Sequence, residues 1–456
     1  MKTAPKSERM LAAPLAPLIL RTALPSMGAM LASGVCALAD ALLLRRLGQD
    51  AAAAVSLSFP LLSLIQTIGF TLGTGGGNFV SRSLGAGDKE SALRAASTAF
   101  FGALVVSCAL CALGFLFAFP LVRLLGAQAA QTAAGAAYAR CVLAAGPMLC
   151  ANLVLGSLVR GQGNTLAGLY AFGSGALLGL ALQVLFILFL GMGIVGSGAA
   201  MIARETLTLV LLIAFSRREP VRPRLFLFSL RPVLLRGIMR SGFPAMLRQG
   251  LFALSSALMT RAASAAGPAV LSGMGLSVRV LSLISSGVIG FGQGFAPVCG
   301  YAYGSGRMDR VLGAYRFALR AVVLSLLALG AALFFLSEPL LARLGGEPEA
   351  LLFAAAFLRA QSVTLFAQGA VIIMTMLTQA MGLPLPSCVV SASRQGFVLI
   401  PLVLIMPALF SVSGLILSQS VSDLLSLALC FFVTRAALRG SSCARGGCSD
   451  ARTASR

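Results

Sequence analysis

Residues 92–119 read ALRAASTAFFGALVVSCALCALGFLFAF, with one charge, Arg94, in the opening turn. A helix rises 1.5 Å per residue, so this stretch crosses the ~30 Å of hydrocarbon in a bilayer. Runs of the same kind recur at 17–44, 51–80, 131–158, 166–190 and 194–215. A second set follows at 239–262, 269–299, 313–336, 350–379, 385–409 and 413–437. Between the sets lies a basic stretch, 216–240, with seven arginines and with Pro220, Pro223 and Pro232. That density of Arg and Pro excludes a span. The pattern predicts an all-α integral membrane protein of twelve helices. It divides into an N-terminal six-helix lobe (1–215), a cytoplasmic linker (216–240), a C-terminal six-helix lobe (241–437) and a basic, disordered tail (438–456).

Composition agrees. Of 456 residues 58% are hydrophobic and only 11% charged, and the mean hydropathy is +0.94. A water-facing surface of this size needs about a quarter of its residues charged; a lipid-facing one does not. The formal net charge of +22 raises the question of nucleic acid. The basic residues, however, sit in short loops between apolar runs, with no basic face interleaved with aromatics. Nucleic acid is therefore not an expected partner; the lipid bilayer is. Inside and outside loops differ in Lys and Arg: with the N-terminus inside, 23 fall on inner segments and 7 on outer ends. Positive residues stay on the cytoplasmic side, which predicts both termini in the cytoplasm of a bacterial-type inner membrane. The cysteines lie mostly within apolar runs and the chain has no His. They read as packing residues, and neither a metal site nor a cofactor is expected.

The two halves echo each other. A shift of 219 residues carries Pro25 to Pro244, Gly48 to Gly267, Pro120 to Pro339 and Gly163 to Gly382. The same shift carries Gly85-Ala86-Gly87 onto Gly304-Ser305-Gly306, while Gly69-Phe70 meets Gly290-Phe291 at 221. Two parallel repeats imply pseudo-symmetric bundles around a central cavity, the architecture of alternating access.

Several stretches carry a resemblance. They are LPSMGAMLASGVCALADALLLRRLG (24–48), GFTLGTGGGNFVSRSLGAGDKESALRA (69–95) and RGQGNT (160–165), followed by SGFPAMLRQGLFALSSALM (241–259), GFGQGFAPVCGYAYGSGRMDRV (290–311) and SRQGFVLIP (393–401). Over nearly its whole length the chain resembles the multidrug and toxic compound extrusion (MATE) family, within it the DinF-like prokaryotic branch. The resemblance implies a cation-coupled antiporter that expels small amphiphilic, often cationic, compounds, with the proton as coupling ion and sodium as the alternative. It gives Asp40 the place of the acid that binds the coupling cation, and Pro25 the place of the proline that lets the first helix bend. The sequence departs from the family where many relatives read Asn-x-x-x-Asp in the fifth helix: here stand Gly179 and Gln183. Met201 replaces a threonine of the sixth helix, whereas Asn152 is retained. A multi-oxygen sodium site is weakened by these changes, and proton coupling through Asp40 is weakened less.

Read residue by residue, Asp40 is either a protonatable carboxylate facing the cavity or an interfacial acid paired with Arg45 or Arg46. Its symmetry mate is Met259, so packing does not demand the acid. Arg248, Arg279 and Arg394 each lie nine or ten residues into a span, ~13 Å deep. An arginine at that depth is costly and needs water, an acid or a substrate. They are cavity-lining candidates, with Asp423 and Glu205 as alternative structural partners. Arg204 and Glu205 point about 100° apart on one helix, which favours separate interhelical pairs over a mutual one. Gln183, Gln249 and Gln395 are buried amides suited to interhelical bonds or substrate contact. Asp88 is placed to cap the helix after it, and the glycines of 73–77, which lack a P-loop's Gly-Lys ending, suit close helix packing. The expected partner is a small-molecule substrate, handled by a monomer. A flippase for a lipid-linked or other anionic amphiphile, which the deep arginines would suit, is the alternative; a membrane enzyme would need His or paired-Asp motifs that are missing.

Overall fold

The structure is a computed structural model that describes residues 6–45, 49–124, 129–229, 231–344 and 347–453. It is helical almost throughout. A short helix α1 (Lys6–Ala12) precedes the first lobe, which comprises α2 (Leu15–Arg45), α3 (Gln49–Gly85), α4 (Lys89–Leu116), the short α5 (Ala118–Leu124), α6 (Ala129–Gly161), α7 (Thr165–Val184) and α8 (Gly193–Ser216). A π-helical turn, Leu185–Phe189, extends α7. The second lobe holds α9 (Pro232–Ala266), α10 (Pro268–Gly304), α11 (Met308–Leu344), α12 (Pro348–Met381), α13 (Pro384–Ala392) and α14 (Leu399–Thr453).

Nine helices among the described residues are long and apolar enough to cross a bilayer. One of them is a merged run, Pro384–Ser441, which breaks into two passes at Ser411 (φ 52°). With α3 and the arginine-bearing α9 the passes number twelve, in the expected order, and both chain ends emerge on one face, called here the termini side.

The repeat is visible in the backbone. Gly87 and Gly306 turn the chain at φ 82° and 80°, and Gly163 and Gly382 at φ 82° and 71°. Each pair is related by the 219-residue shift, and each needs the left-handed region that glycine enters without a Cβ clash. Asp88 caps α4 as expected, its carboxylate accepting from the Ser91 N–H at 2.9 Å.

Two boundaries differ from the sequence reading. The connector expected over 216–240 leaves helix only between Ser216 and Pro232. Pro232 sits in the first turn of α9, where its missing N–H costs nothing, so residues 232–240 are already helical. The connector is fastened to the first lobe. Gln162 donates to the Val221 carbonyl at 2.7 Å and accepts from its N–H at 2.9 Å. Asn164 donates to the Glu219 carboxylate at 2.6 Å, and Ser97 accepts from the Arg224 N–H at 2.9 Å. The tail, expected to be disordered, continues α14 as helix to Thr453. Ala436 and Ala437 before it, and Leu438 and Arg439 at its start, are strong helix formers.

On the termini side the lobes meet through glycine. A methyl group added at Gly75 would strike the Ile238 carbonyl, one at Gly85 the Tyr301 backbone, and one at Gly304 the Arg82 carbonyl. The contact climbs along α2 and α10, where Gly294 abuts Ala23, Gly290 abuts Met27 and Gly34 faces Leu283. Arg82 closes the base of this seam. Its guanidinium leaves α3 and donates to Ser241 Oγ at 3.0 Å and to the Ala380 and Gln379 carbonyls at 3.0 and 3.4 Å. These are last-turn carbonyls of α12, at the negative end of its dipole; that of Gln379 also accepts from the capping Gly382 N–H.

Candidate functional site

Two polar groupings stand inside the apolar bundle, one in each lobe. In the first, Arg204 of α8 reaches in two directions: its Nε donates to Glu205 Oε1 at 3.1 Å and its Nη1 to Asp40 Oδ2 on α2 at 3.4 Å. Asn152 of α6 completes the group, its Nδ2 donating to Glu205 Oε2 and to the Glu205 carbonyl, both at 2.9 Å. Adjacent Arg204 and Glu205 each have an interhelical partner, as expected, Asp40 for the first and Asn152 for the second. They also pair with each other, because the long arginine stem curls back far enough to offset the 100° between their Cβ vectors.

The two carboxylates differ in how firmly they are held. The Glu205 side chain is 8% exposed and receives donors from two residues; that of Asp40 is 28% exposed and receives one long contact. Gly179 explains the departure in the fifth helix. A Cβ there would lie 2.8 Å from Arg204 Cδ and 3.0 Å from its Cβ, so the missing side chain is the room into which Arg204 packs. Gln183, one turn further along, is buried and donates to Ser197 Oγ at 3.1 Å. Pro25 lies within α2, at the level where that helix crosses the glycine seam. Arg46 and the side chain of Arg45, the alternative partners of Asp40, lie outside the described residues.

The second grouping surrounds a cavity of about 500 Å³ lined by the second lobe alone. The sequence reading put a cavity between the lobes; this one opens inside a lobe, where α9, α10 and α12 spread around the π-helical turn Ser393–Phe397 that joins α13 to α14. Such turns insert a residue into the helical ladder and re-aim side chains. Here the turn carries Arg394 and Gln395 to the wall. Arg394 Nε donates to Asp423 Oδ1 at 2.5 Å, and Asp423 is fully buried behind it. Gln395 accepts from Ser255 Oγ at 3.1 Å. Arg248 and Gln249 of α9 line the same space. Arg279 does not: Val278 and Ser282 form that stretch of the wall, and Arg279 is half-buried on the next face of α10.

The sequence reading missed the serines of α10 and two amides of α12. Ser282, Ser285 and Ser286 form a stripe down α10, Gln361 and Gln368 face them from α12, and Gln368 donates to Ser285 Oγ at 2.5 Å. Their i, i+3, i+4 spacing was the available signal.

Comparison with known proteins fits this layout. A family model described as MatE matches twice, over residues 25–185 and 244–405, once per lobe. The chain belongs to the MATE family. As a MATE protein it is a multi-pass membrane transporter and not an enzyme. It is 22% identical over 373 residues to the multidrug export protein MepA of Staphylococcus saprophyticus, covering 81% of this chain and 82% of MepA. It is 23% identical over 433 residues to an FAD transporter of Shewanella oneidensis, covering 93% and 96%. Among solved structures, a MATE protein in complex with MaL6 superposes with a TM-score of 0.91 at 23% identity, covering 96% of this chain and all of that one. A MOP superfamily transporter from Pyrococcus furiosus, described as having a binding pocket of reverse polarity, superposes at 0.90 and 23% identity, covering 96% and 99%. These likenesses at low identity establish the shared fold.

Proposed function

We infer that this MATE protein is a secondary antiporter that exports small amphiphilic compounds by alternating access, driven by protons through Asp40. The reading includes a monomer in a bacterial inner membrane with both termini in the cytoplasm. The observation that carries it is the charge balance of the first lobe: two carboxylates, Asp40 and Glu205, share the one guanidinium of Arg204. In a low-dielectric setting an unbalanced charge is costly, and one proton removes it. Asp40, more exposed and more weakly held than Glu205, is the group that takes it.

Protonation removes Asp40's claim on Arg204, which then rests on Glu205 alone. The tie between α2 and α8 is lost, α2 is free to bend at Pro25, and the seam that α2 forms with α10 opens or closes accordingly. Sodium is the weaker alternative, because a fixed guanidinium already stands against the Asp40 carboxylate and few other oxygens gather there. The names of the relatives, multidrug export and FAD transport, support a small-molecule substrate.

The test is export of a fluorescent amphiphile in everted vesicles under imposed proton or sodium gradients. Wild-type protein should respond to the proton gradient, and Asp40→Asn should not, while inserting and melting normally. Proton-driven export that survives Asp40→Asn would end the coupling assignment.

A further inference from the structure

The shift of 219 residues that relates the lobes sets Arg204 opposite Asp423 and Asp40 opposite Met259. The polar groupings of the two lobes are of opposite balance. That of the first lobe sets the Arg204 guanidinium against the carboxylates of Asp40 and Glu205; that of the second sets Arg248 and Arg394 against Asp423. Arg394 is matched by Asp423. Among the described residues, no carboxylate lies within an ion-pair distance of Arg248, and its Nε is buried with no hydrogen-bond acceptor. Its repeat counterpart is Ala29, so the helix does not need an arginine there in order to pack. Arg248 nevertheless lies deep in the span and on the cavity wall, where an uncompensated cation is expensive.

The rest of the wall states what would compensate it. None of the lining residues is acidic. Ser285, whose oxygen accepts from Gln368, supplies a hydroxyl donor, Ser282 and Ser286 donate theirs to carbonyls of their own helix, and Gln249 and Gln395 supply amides beside the two arginines. Phe252, Met259, Met274, Leu281 and Phe357 supply apolar surface. A volume of about 500 Å³ is that of an ordinary small-ligand pocket, largely apolar with a few placed polar groups. A cationic guest would meet a fixed positive charge with no carboxylate to receive it. An anionic group would give Arg248 its missing partner in a charge-assisted bond, the stronger kind.

We propose that the cavity of the second lobe is a binding site for the anionic head of an amphiphile, a phosphate or carboxylate held by Arg248 with its apolar body among the Phe and Met side chains. The cargo of this transporter is then anionic, in place of the cation that the family resemblance suggests. The inference rests on the transporter reading but not on Asp40 or on any gradient.

The test is equilibrium binding of 1-naphthyl phosphate and of 1-naphthylmethylammonium, which share one ring system and differ in charge, to full-length protein in phosphatidylcholine nanodiscs. Wild type should bind the phosphate at least tenfold more tightly than the ammonium. Arg248→Gln should lose at least tenfold of the phosphate affinity, and Arg248→Lys should keep most of it. Competition by phosphatidic acid built into the nanodisc would mark a lipid headgroup as the natural ligand, and competition by soluble inorganic phosphate a water-borne one. Equal affinity for the two probes, or phosphate binding that Arg248→Gln leaves unchanged, overturns the proposal. If Arg248→Gln does not fold, the probe preference of wild type still decides. Proton-driven export measured alongside separates the two readings. Export of a cation by a protein that does not bind naphthyl phosphate removes the anion site and leaves the antiporter, whereas phosphate binding without gradient-driven export does the reverse.

Discussion

Replacing Arg82 with alanine should tip the transporter toward the shape that is open on the termini side. Arg82 is the one side chain described here that leaves the first lobe to hold the end of a helix in the second. Two of its hydrogen bonds, to Ser241 Oγ and the Ala380 carbonyl, are 3.0 Å long, and a third is longer at 3.4 Å. A hydrogen bond from a charged donor contributes about 1.5–3 kcal/mol net of solvation. Taking the low end for the two short bonds gives about 3 kcal/mol, present only while the lobes are shut on that side. At ~1.4 kcal/mol per tenfold, the loss shifts the open-to-shut ratio by about a hundredfold. Ser81 is the reporter: it is fully buried in the seam against Gly300 of the other lobe. In a cysteine-free background, Ser81→Cys should react with N-ethylmaleimide slowly. Adding Arg82→Ala should speed the reaction by up to about a hundredfold, with Arg82→Lys intermediate. Equal alkylation rates with and without Arg82, in proteins that melt alike, would refute the latch.

The other expectations concern single contacts. Asp423→Asn leaves Arg394 beside the cavity without its counter-charge and should cost about 3–5 kcal/mol, whereas the joint change Arg394→Met with Asp423→Leu should cost far less; thermal melting of both variants distinguishes these outcomes. Gly179→Val places a side chain where Arg204 packs and should abolish proton-driven export while leaving naphthyl phosphate binding within about twofold, read by vesicle transport and nanodisc binding. Asp88 caps α4 outside the membrane, and its carboxyl lies below the usual range because Ser91 donates to it. Asp88→Ala should cost about 1 kcal/mol near neutral pH. A depressed carboxyl stabilises the fold above its unfolded value of about 4, so the melting difference between wild type and Asp88→Ala should shrink as the pH falls from 7 toward 3.

The twelve passes were legible because each is a long apolar run bounded by charge, and the repeat because glycines and prolines with fixed backbone duties recur at one interval. Gly163 and Gly382 could be paired on paper, and both turn the chain in the left-handed region. The polar groupings were half legible. The pairing of Arg394 with Asp423 could be read from two costly groups in neighbouring passes, but the π-helical turn that aims Arg394 into a cavity has no composition of its own. The partner of Asp40 lies 164 residues away, a distance that periodicity cannot cross. The added contact between Arg204 and Glu205 was not legible, because helical phase fixes where Cβ atoms point, not where a long flexible side chain ends. Gly179 looked like a lost ligand, and only the neighbouring helix reveals it as space already taken.

The glycine seam has a thermodynamic consequence. Where backbone rests on backbone, shutting the two halves freezes no rotamers and parting them frees none, since glycine and alanine have no side-chain freedom to surrender. The balance between the two shapes therefore starts almost level along that surface. A few polar ties and the occupants of the lobes are enough to decide it, so a single proton or a single small guest can move the whole machine.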